Sequence, residues 1–360
     1  MKTKIVYALT CNETGTYIEQ ALMSVYSARY HNPDAEIIVL TDDLTDKMLV
    51  GARAQINEYV SEKIVVPFEK DKSALYRSRW LKTSCRRLVR GPLVYIDCDT
   101  IIQRSLAELD NIEGDMVMVY DEHLTVKDYT KVMLDVTLEN CAKLGFDASK
   151  EVYYYNGGVI LVKDTKVGNE LFSRWHEEWK RGVEEAQYYG DEPSLMKKNR
   201  EMGYVITRLP DEWNCQVFMN PLFMPDAYIL HYWLLKNKSY MYEKPFLNYV
   251  KEHGINDYVK ECILHSLDSM LPYTNQLCVS SLTEYMRIPK RYAKGLKQYA
   301  AHIDAQFGEF IWNRRLSNIE QKLLRKHCYK MCMWSFTIRN SIKYKVLHIK
   351  IDTNRLSITK

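Results

Sequence analysis

The chain has 360 residues, 46% hydrophobic and 27% charged, a balance that supports a packed core and excludes a collagenous or wholly disordered protein. Its net charge of +4 is unevenly spread: residues 287–360 hold 17 Lys and Arg against four acids, which leaves residues 1–286 with nine excess negative charges. The nine Cys lack the paired spacing of a zinc site, which needs about four ligands.

In chain order, Lys4–Thr10 is a β-branched, apolar run that predicts a first strand. Ile18, Leu22, Val25 and Tyr26 share one face of a helix over Tyr17–Arg29, ended by His31-Asn32-Pro33-Asp34. Glu36–Leu40 predicts a second strand, running into Thr41-Asp42-Asp43. A helix is expected over Leu49–Tyr59, a strand over Lys63–Pro67 and a helix over Ala74–Val89. Pro92–Ile96 predicts a buried strand that ends in Asp97-Cys98-Asp99. Met116–Tyr120 is a further strand, ending at Asp121. Two short extended pieces are expected around Asn156-Gly157-Gly158. Helices follow over Asn169–Arg181 and Asp191–Arg200, the latter with Pro193 in its first turn. Tyr228-Ile229-Leu230 leads into His231, and from about Tyr249 the pattern is helical.

Strands alternating with helices predict an α/β fold, a mostly parallel sheet flanked by helices, with a helical C-terminal extension. In such sheets ligands sit beyond the carboxyl ends of the strands. Asp42, Asp97 and Asp99 fall there. Asp97 and Asp99, one residue apart after a buried strand, offer oxygen ligands for a hard divalent cation. Strand-end aspartates are often only solvated, so the pair gains meaning from its context. His231 also follows an apolar strand; imidazole added to carboxylates favours Mn²⁺, with Mg²⁺ as the alternative. Lys236 lies just beyond and suits a phosphate. Gly157 and Gly158 permit a positive φ and let a ligand approach the backbone closely, or else they simply make a turn. Asp191 and Glu192 open a helix, where a carboxylate either caps the N-terminus or serves chemistry.

Five features occur in a fixed order. They are a first strand ending in Thr10; Tyr76-Arg77-Ser78-Arg79-Trp80-Leu81 before Val94-Tyr95-Ile96-Asp97-Cys98-Asp99; Tyr155-Asn156-Gly157-Gly158-Val159; Asp191-Glu192-Pro193-Ser194-Leu195; and Leu209-Pro210-Asp211-Glu212-Trp213-Asn214 followed by His231. Together they resemble the GT-A-fold glycosyltransferases of family 8, the glycogenin and lipopolysaccharide galactosyltransferase group, over about residues 1–245. The resemblance implies a GT-A, Rossmann-like fold, a UDP-sugar donor, Mn²⁺, a saccharide or lipid-linked saccharide acceptor, and retention of anomeric configuration. Asp97, Asp99 and His231 match the family's metal ligands. Thr10 and Asp42 would lie near the uridine, Arg79 would face the donor, and Asp121 and Asn156 the transferred sugar. Asp191 and Glu192 match an Asp-Gln pair beside the reacting carbon. Two positions depart from the pattern. Glu192 replaces the usual Gln, and Tyr232–Lys238 lacks the glycine that usually follows the histidine, which leaves the phosphate role of Lys236 open.

The resemblance divides the chain into a nucleotide-sugar-binding domain over 1–248 and a basic helical region over 249–360. In the latter, Trp312, Leu316, Ile319, Leu323 and Leu324 recur at helical spacing among Arg314, Arg315, Lys322, Arg325 and Lys326. Such a segment either packs on its own protein or docks on an anionic membrane; no nucleic-acid partner is expected. The odd Cys count, a polar N-terminus and the lack of any apolar run of roughly 18 residues predict a cytoplasmic chain, at the inner membrane face if the tail docks. Two other function classes remain, a nucleotidyltransferase making a nucleotide-sugar and an inactive sugar-binding scaffold. The first normally carries a glycine-rich basic loop after its first strand, which Thr10–Gly15 is not; intact Asp97, Asp99 and His231 weigh against the second.

Overall fold

The computed structural model describes residues 1–129, 131–217, 226–232, 244–264 and 266. These belong to one compact unit, Met1–Met270. Lys236 and the basic segment 287–360 lie outside the described residues. Among those described, no helix is long and apolar enough to cross a membrane.

Two apolar runs, β1 (Lys4–Leu9) and β2 (Ile37–Asp42), pair in parallel and are buried but for Lys4, as strands covered on both faces must be. Helix α1 (Tyr17–His31) connects them and buries Ile18, Leu22 and Val25. The link to β3 (Glu62–Val66) contains the single turn α2 (Asp43–Asp46), a 3₁₀ turn over Gly51–Gln55 and the short α3 (Ile56–Tyr59). The single helix expected over Leu49–Tyr59 is therefore broken. Gly51 takes φ +59°, a left-handed conformation that no continuous right-handed helix contains.

Helix α4 (Ala74–Leu88) starts at Ser73, whose Oγ accepts the Tyr76 amide at 3.1 Å. It leads to β4 (Leu93–Ile96), parallel to β1, and then to β5 (Thr100–Ile102) and β6 (Met116–Tyr120). After α5 (Lys131–Ala142), β7 (Tyr155–Val162) inserts antiparallel between β4 and β6. It is one eight-residue strand rather than two pieces. Neither Gly157 nor Gly158 takes a positive φ, so the glycines do not turn the chain; what they supply is space.

Helices α6 (Lys166–Ala186) and α7 (Glu192–Glu201) follow, then β8 (Ile206–Arg208), β9 (Cys215–Gln216) and β10 (Ile229–His231). The seven-stranded sheet has the order β3-β2-β1-β4-β7-β6-β8, with only β7 antiparallel to its neighbours. This is the mixed α/β, mostly parallel architecture that the alternation predicts. A three-stranded sheet, β5-β10-β9, sits beyond the carboxyl end of β4. Helices α8 (Lys244–His253) and α9 (Asp257–Leu264) pack on α1, so the compact unit runs past residue 248.

The carboxyl end of β2 rests on a buried charge pair. Asp42 is fully buried; its Oδ1 accepts the amides of Leu44 and Thr45 at 2.9 Å, and its Oδ2 accepts the Thr45 hydroxyl at 2.7 Å. Arg77 Nε lies 3.3 Å from Oδ2 without hydrogen-bond alignment, so this contact is electrostatic. Two other Arg77 nitrogens donate to the carbonyls of Lys72 and Cys11. An arginine on α4 thereby anchors the loop after β1 and the cap after β2. Removing one partner of a buried pair leaves an uncompensated charge. Arg77→Met is expected to lower the unfolding free energy by about 3–5 kcal/mol in urea titration; a loss below about 1 kcal/mol, the range of an exposed pair, would contradict that role.

Candidate active site

β4 and β10 bring the first cluster together. Asp97 follows Ile96, and its amide donates to the Gly158 carbonyl at 2.8 Å, which continues the β4–β7 register. β10 pairs antiparallel with β5, His231 opposite Thr100, and the Tyr232 amide donates to the Asp99 carbonyl at 2.8 Å. Pairing register thus sets His231 beside Asp97 and Asp99. One ligand atom from each of the three lies within 4.8 Å of the others, and the His231 Nε2–Asp99 Oδ1 distance is 3.4 Å. His231 Nε2 is buried and makes no aligned hydrogen bond. Burial disfavours the imidazolium, but Asp99 outweighs it and holds the His231 pKa above its ordinary value. Two carboxylates and an orphaned imidazole nitrogen fit a divalent cation of the borderline kind.

Gly158 is required here. A Cβ at this position would lie 2.2 Å from His231 Cε1 and 2.6 Å from Nδ1. The imidazole packs directly on the β7 backbone, which no larger residue permits.

A second cluster adjoins the first. Asp191 precedes α7, but its side chain makes no capping bond. Its carboxylate instead turns to Arg79 Nε at 2.9 Å and Lys82 Nζ at 3.0 Å. Lys82 also lies 3.5 Å from Asp97 Oδ2, and Tyr95 donates its hydroxyl to Asp97 Oδ1 at 2.7 Å. Lys82 is 2% exposed. Burial opposes its charge, yet Asp191 and Asp97 prevail and keep its pKa above the usual value. The same pairing works in reverse at Asp191: burial pushes its pKa up, and Arg79 and Lys82 overcome this and hold it low. Arg79 is held firmly protonated, chiefly by Asp191.

Glu192 has no cation of its own at bonding distance among the described residues. Its Oε1 accepts the Gly157 amide at 2.9 Å. Burial, then Asp121 and Asp191, push its pKa up to about 8. Asp121 is also raised, by burial, although it accepts from Asn156 Nδ2 at 3.0 Å and from the Tyr129 hydroxyl at 3.5 Å. This edge therefore sets Asp191 and Glu192 side by side with their pKa values pushed in opposite directions.

Asp97, Asp99, Asp121, Asn156, Gly157, Asp191, Glu192, Arg79 and His231 are thus linked around the carboxyl edge of the sheet. Thr10 and Asp42 lie at the ends of β1 and β2. Thr10 donates to the Ala74 carbonyl at 3.0 Å, and Asp42 is occupied by its cap and by Arg77. Lys236 lies outside the described residues. Lys82, Tyr95 and Asn214 also join the site, although the sequence assigns none of them a role. Two periodicities point to the first two: Lys82 is three residues after Arg79 on one helix, and Tyr95 is two before Asp97 along a strand. Asn214 closes the Leu209–Asn214 stretch, which gives it no chemical role.

No protein-family model and no curated protein matches the sequence. Among solved structures, the chain is similar to the galactosyltransferase LgtC in complex with donor and acceptor sugar analogues, at 14% identity and a TM-score of 0.46, covering 72% of this chain and 99% of that one. It is also similar to mouse xyloside xylosyltransferase 1, at 12% identity and a TM-score of 0.42, covering 65% of this chain and 98% of that one. A third is the glycosyltransferase GlyE of Streptococcus pneumoniae, at 16% identity and a TM-score of 0.43, covering 74% of this chain and 63% of that one.

Proposed function

We propose that this protein is a metal-dependent glycosyltransferase of the GT-A type that moves a hexose from a UDP-sugar to a saccharide or lipid-linked saccharide acceptor, with retention. The observation that carries this reading is the Asp97, Asp99 and His231 cluster, whose ligand atoms converge within 4.8 Å at the carboxyl edge of an α/β sheet. The residues of the cluster would hold Mn²⁺, or Mg²⁺, as a Lewis acid for a departing diphosphate.

The chain's own groups divide the remaining work. Arg79 and Lys82 supply fixed positive charge where phosphate oxygens gather. Asp121 and Asn156 orient sugar hydroxyls, and the Gly157 backbone lets the sugar approach closely. Thr10 and the loop beyond it face the uridine, with Asp42 as the strut beneath that loop, and Lys236 is a further phosphate contact. Asp191 and Glu192 flank the reacting carbon. Glu192, its pKa pushed up to about 8, serves as a hydrogen-bonding group as the family's amide does rather than as the attacking group. This supports same-face transfer over a covalent adduct on Glu192. The compact unit Met1–Met270 carries these groups, and the basic segment after it contacts the acceptor or an anionic membrane from the cytoplasmic side.

Calorimetry with UDP and a panel of nucleotide-sugars tests the donor assignment. Metal-dependent binding of UDP is expected in the wild type and is expected to vanish in Asp99→Asn; binding that is the same with and without metal would contradict the reading. Steady-state kinetics tests Glu192. Glu192→Gln is expected to keep kcat within about tenfold, whereas loss of a nucleophile lowers it by roughly 10⁴-fold. The wild type is expected to lose activity as pH rises past about 8, where Glu192 ionises, and the Gln variant is expected to lack that alkaline limb.

A further inference from the structure

Four polar side chains run in line from the metal cluster to the sugar-orienting acid. His231 Nδ1 is 2.9 Å from Asn214 Oδ1, Asn214 Nδ2 is 2.9 Å from Asn156 Oδ1, and Asn156 Nδ2 is 3.0 Å from Asp121 Oδ1. Asn214 is fully buried and Asn156 nearly so. Amide and imidazole orientations are ordinarily ambiguous, because exchanging O with N changes little in shape. Here one fixed donor removes the ambiguity.

The Gly158 amide lies 2.9 Å from the nearer end of the Asn156 side chain. A backbone N–H can only donate, so that end must be Oδ1. Asn214 then meets an acceptor and must present Nδ2 to it. Its other end, Oδ1, is left facing His231, so His231 must carry its proton on Nδ1. The Nε2 lone pair is thereby aimed at Asp97 and Asp99. At the far end, Asn156 Nδ2 meets the Asp121 carboxylate, which accepts. Each link points the same way, and neither amide can be flipped without opposing two donors or two acceptors.

We infer that Asn214 is a positioning residue that, keyed by the Gly158 backbone amide through Asn156, fixes the His231 tautomer for metal binding and joins the metal cluster to Asp121. This rests on the metal reading given above. Outer hydrogen bonds of this kind orient a ligating histidine and strengthen its hold on the ion. Asn214 touches no reacting atom; it acts through His231 on one side and Asn156 on the other.

Manganese binding, read from the free-ion electron paramagnetic resonance signal, separates the possibilities. Asn214→Leu removes the acceptor and is expected to weaken Mn²⁺ binding by about 10- to 100-fold. Asn214→Asp restores an acceptor for Nδ1–H but not the donor to Asn156, and is expected to bind Mn²⁺ at least as tightly as the wild type. Circular dichroism reports whether each variant folds. Unchanged affinity in a folded Asn214→Leu protein, or equal weakening in Asn214→Asp, would overturn the inference. Binding lost only by His231→Ala would leave the metal reading intact and remove the relay, whereas a wild type that binds no Mn²⁺ would overturn the metal reading itself. A second measurement needs no variant: in the Mg²⁺-loaded wild type, a long-range ¹H–¹⁵N spectrum of His231 must place the proton on Nδ1, and a proton on Nε2 overturns the inference even if every variant unfolds.

Discussion

Carboxylates gathered at the edge of a buried sheet repel one another, and burial has stripped away much of the water that would screen them. Asp97 and Asp191 meet this constraint through Lys82, a cation almost wholly enclosed by the groups it balances. Arg79 shares the charge of Asp191 from the next turn of the same helix. Glu192, without a cation at bonding distance among the described residues, meets it with a pKa pushed up to about 8. The pKa values of two neighbouring carboxyl groups thus move in opposite directions because one faces α4 cations and the other faces further carboxylates. That division pushes the pKa values of two adjacent carboxyl groups apart.

Topology places these groups. A purely parallel sheet would deliver only the carboxyl ends of its strands to this edge. The antiparallel insertion of β7 delivers an amino end as well, so Tyr155-Asn156-Gly157-Gly158 lies against Asp97. The small β5-β10-β9 sheet then folds His231 back onto the same edge, and the missing Cβ of Gly158 leaves room for its ring. Each of these choices is made by backbone pairing, so the side chains arrive with little freedom left to lose. Preorganisation of this kind is what a charged transition state requires of its surroundings.

Much of this was legible in the chain itself. The apolar runs before Asp42, Asp97 and Asp121 gave the strands, and the rule that ligands gather beyond carboxyl ends gave the acids. His231 was legible because it also ends an apolar run. Legibility failed where a residue acts through a partner distant in sequence. Lys82 and Arg77 look like ordinary basic positions on an amphipathic helix, and only the packing of α4 over the sheet turns them toward Asp191 and Asp42. Asn214 closes one of the ordered stretches, but no role could be read for it there, since its meaning lies in two hydrogen bonds to residues 156 and 231. Asp191 was ambiguous between a helix cap and a chemical group; its carboxylate leaves the cap position unused and takes two cations instead. The helix expected over Leu49–Tyr59 failed locally, because the pattern of apolar residues says nothing about the left-handed Gly51. The glycine pair at 157 and 158 suggested a turn, whereas its use is close packing inside a strand.

The central claim is that Asp97, Asp99 and His231 hold one divalent ion and, through it, a nucleoside diphosphate. Diffraction from crystals soaked with Mn²⁺ and UDP, recorded at the manganese absorption edge, tests it most directly. The account predicts an anomalous peak bonded to carboxylate oxygens of Asp97 and Asp99 and to His231 Nε2, with the diphosphate on its open side. Ordered UDP without manganese at that cluster, or a manganese peak away from it, would contradict the account.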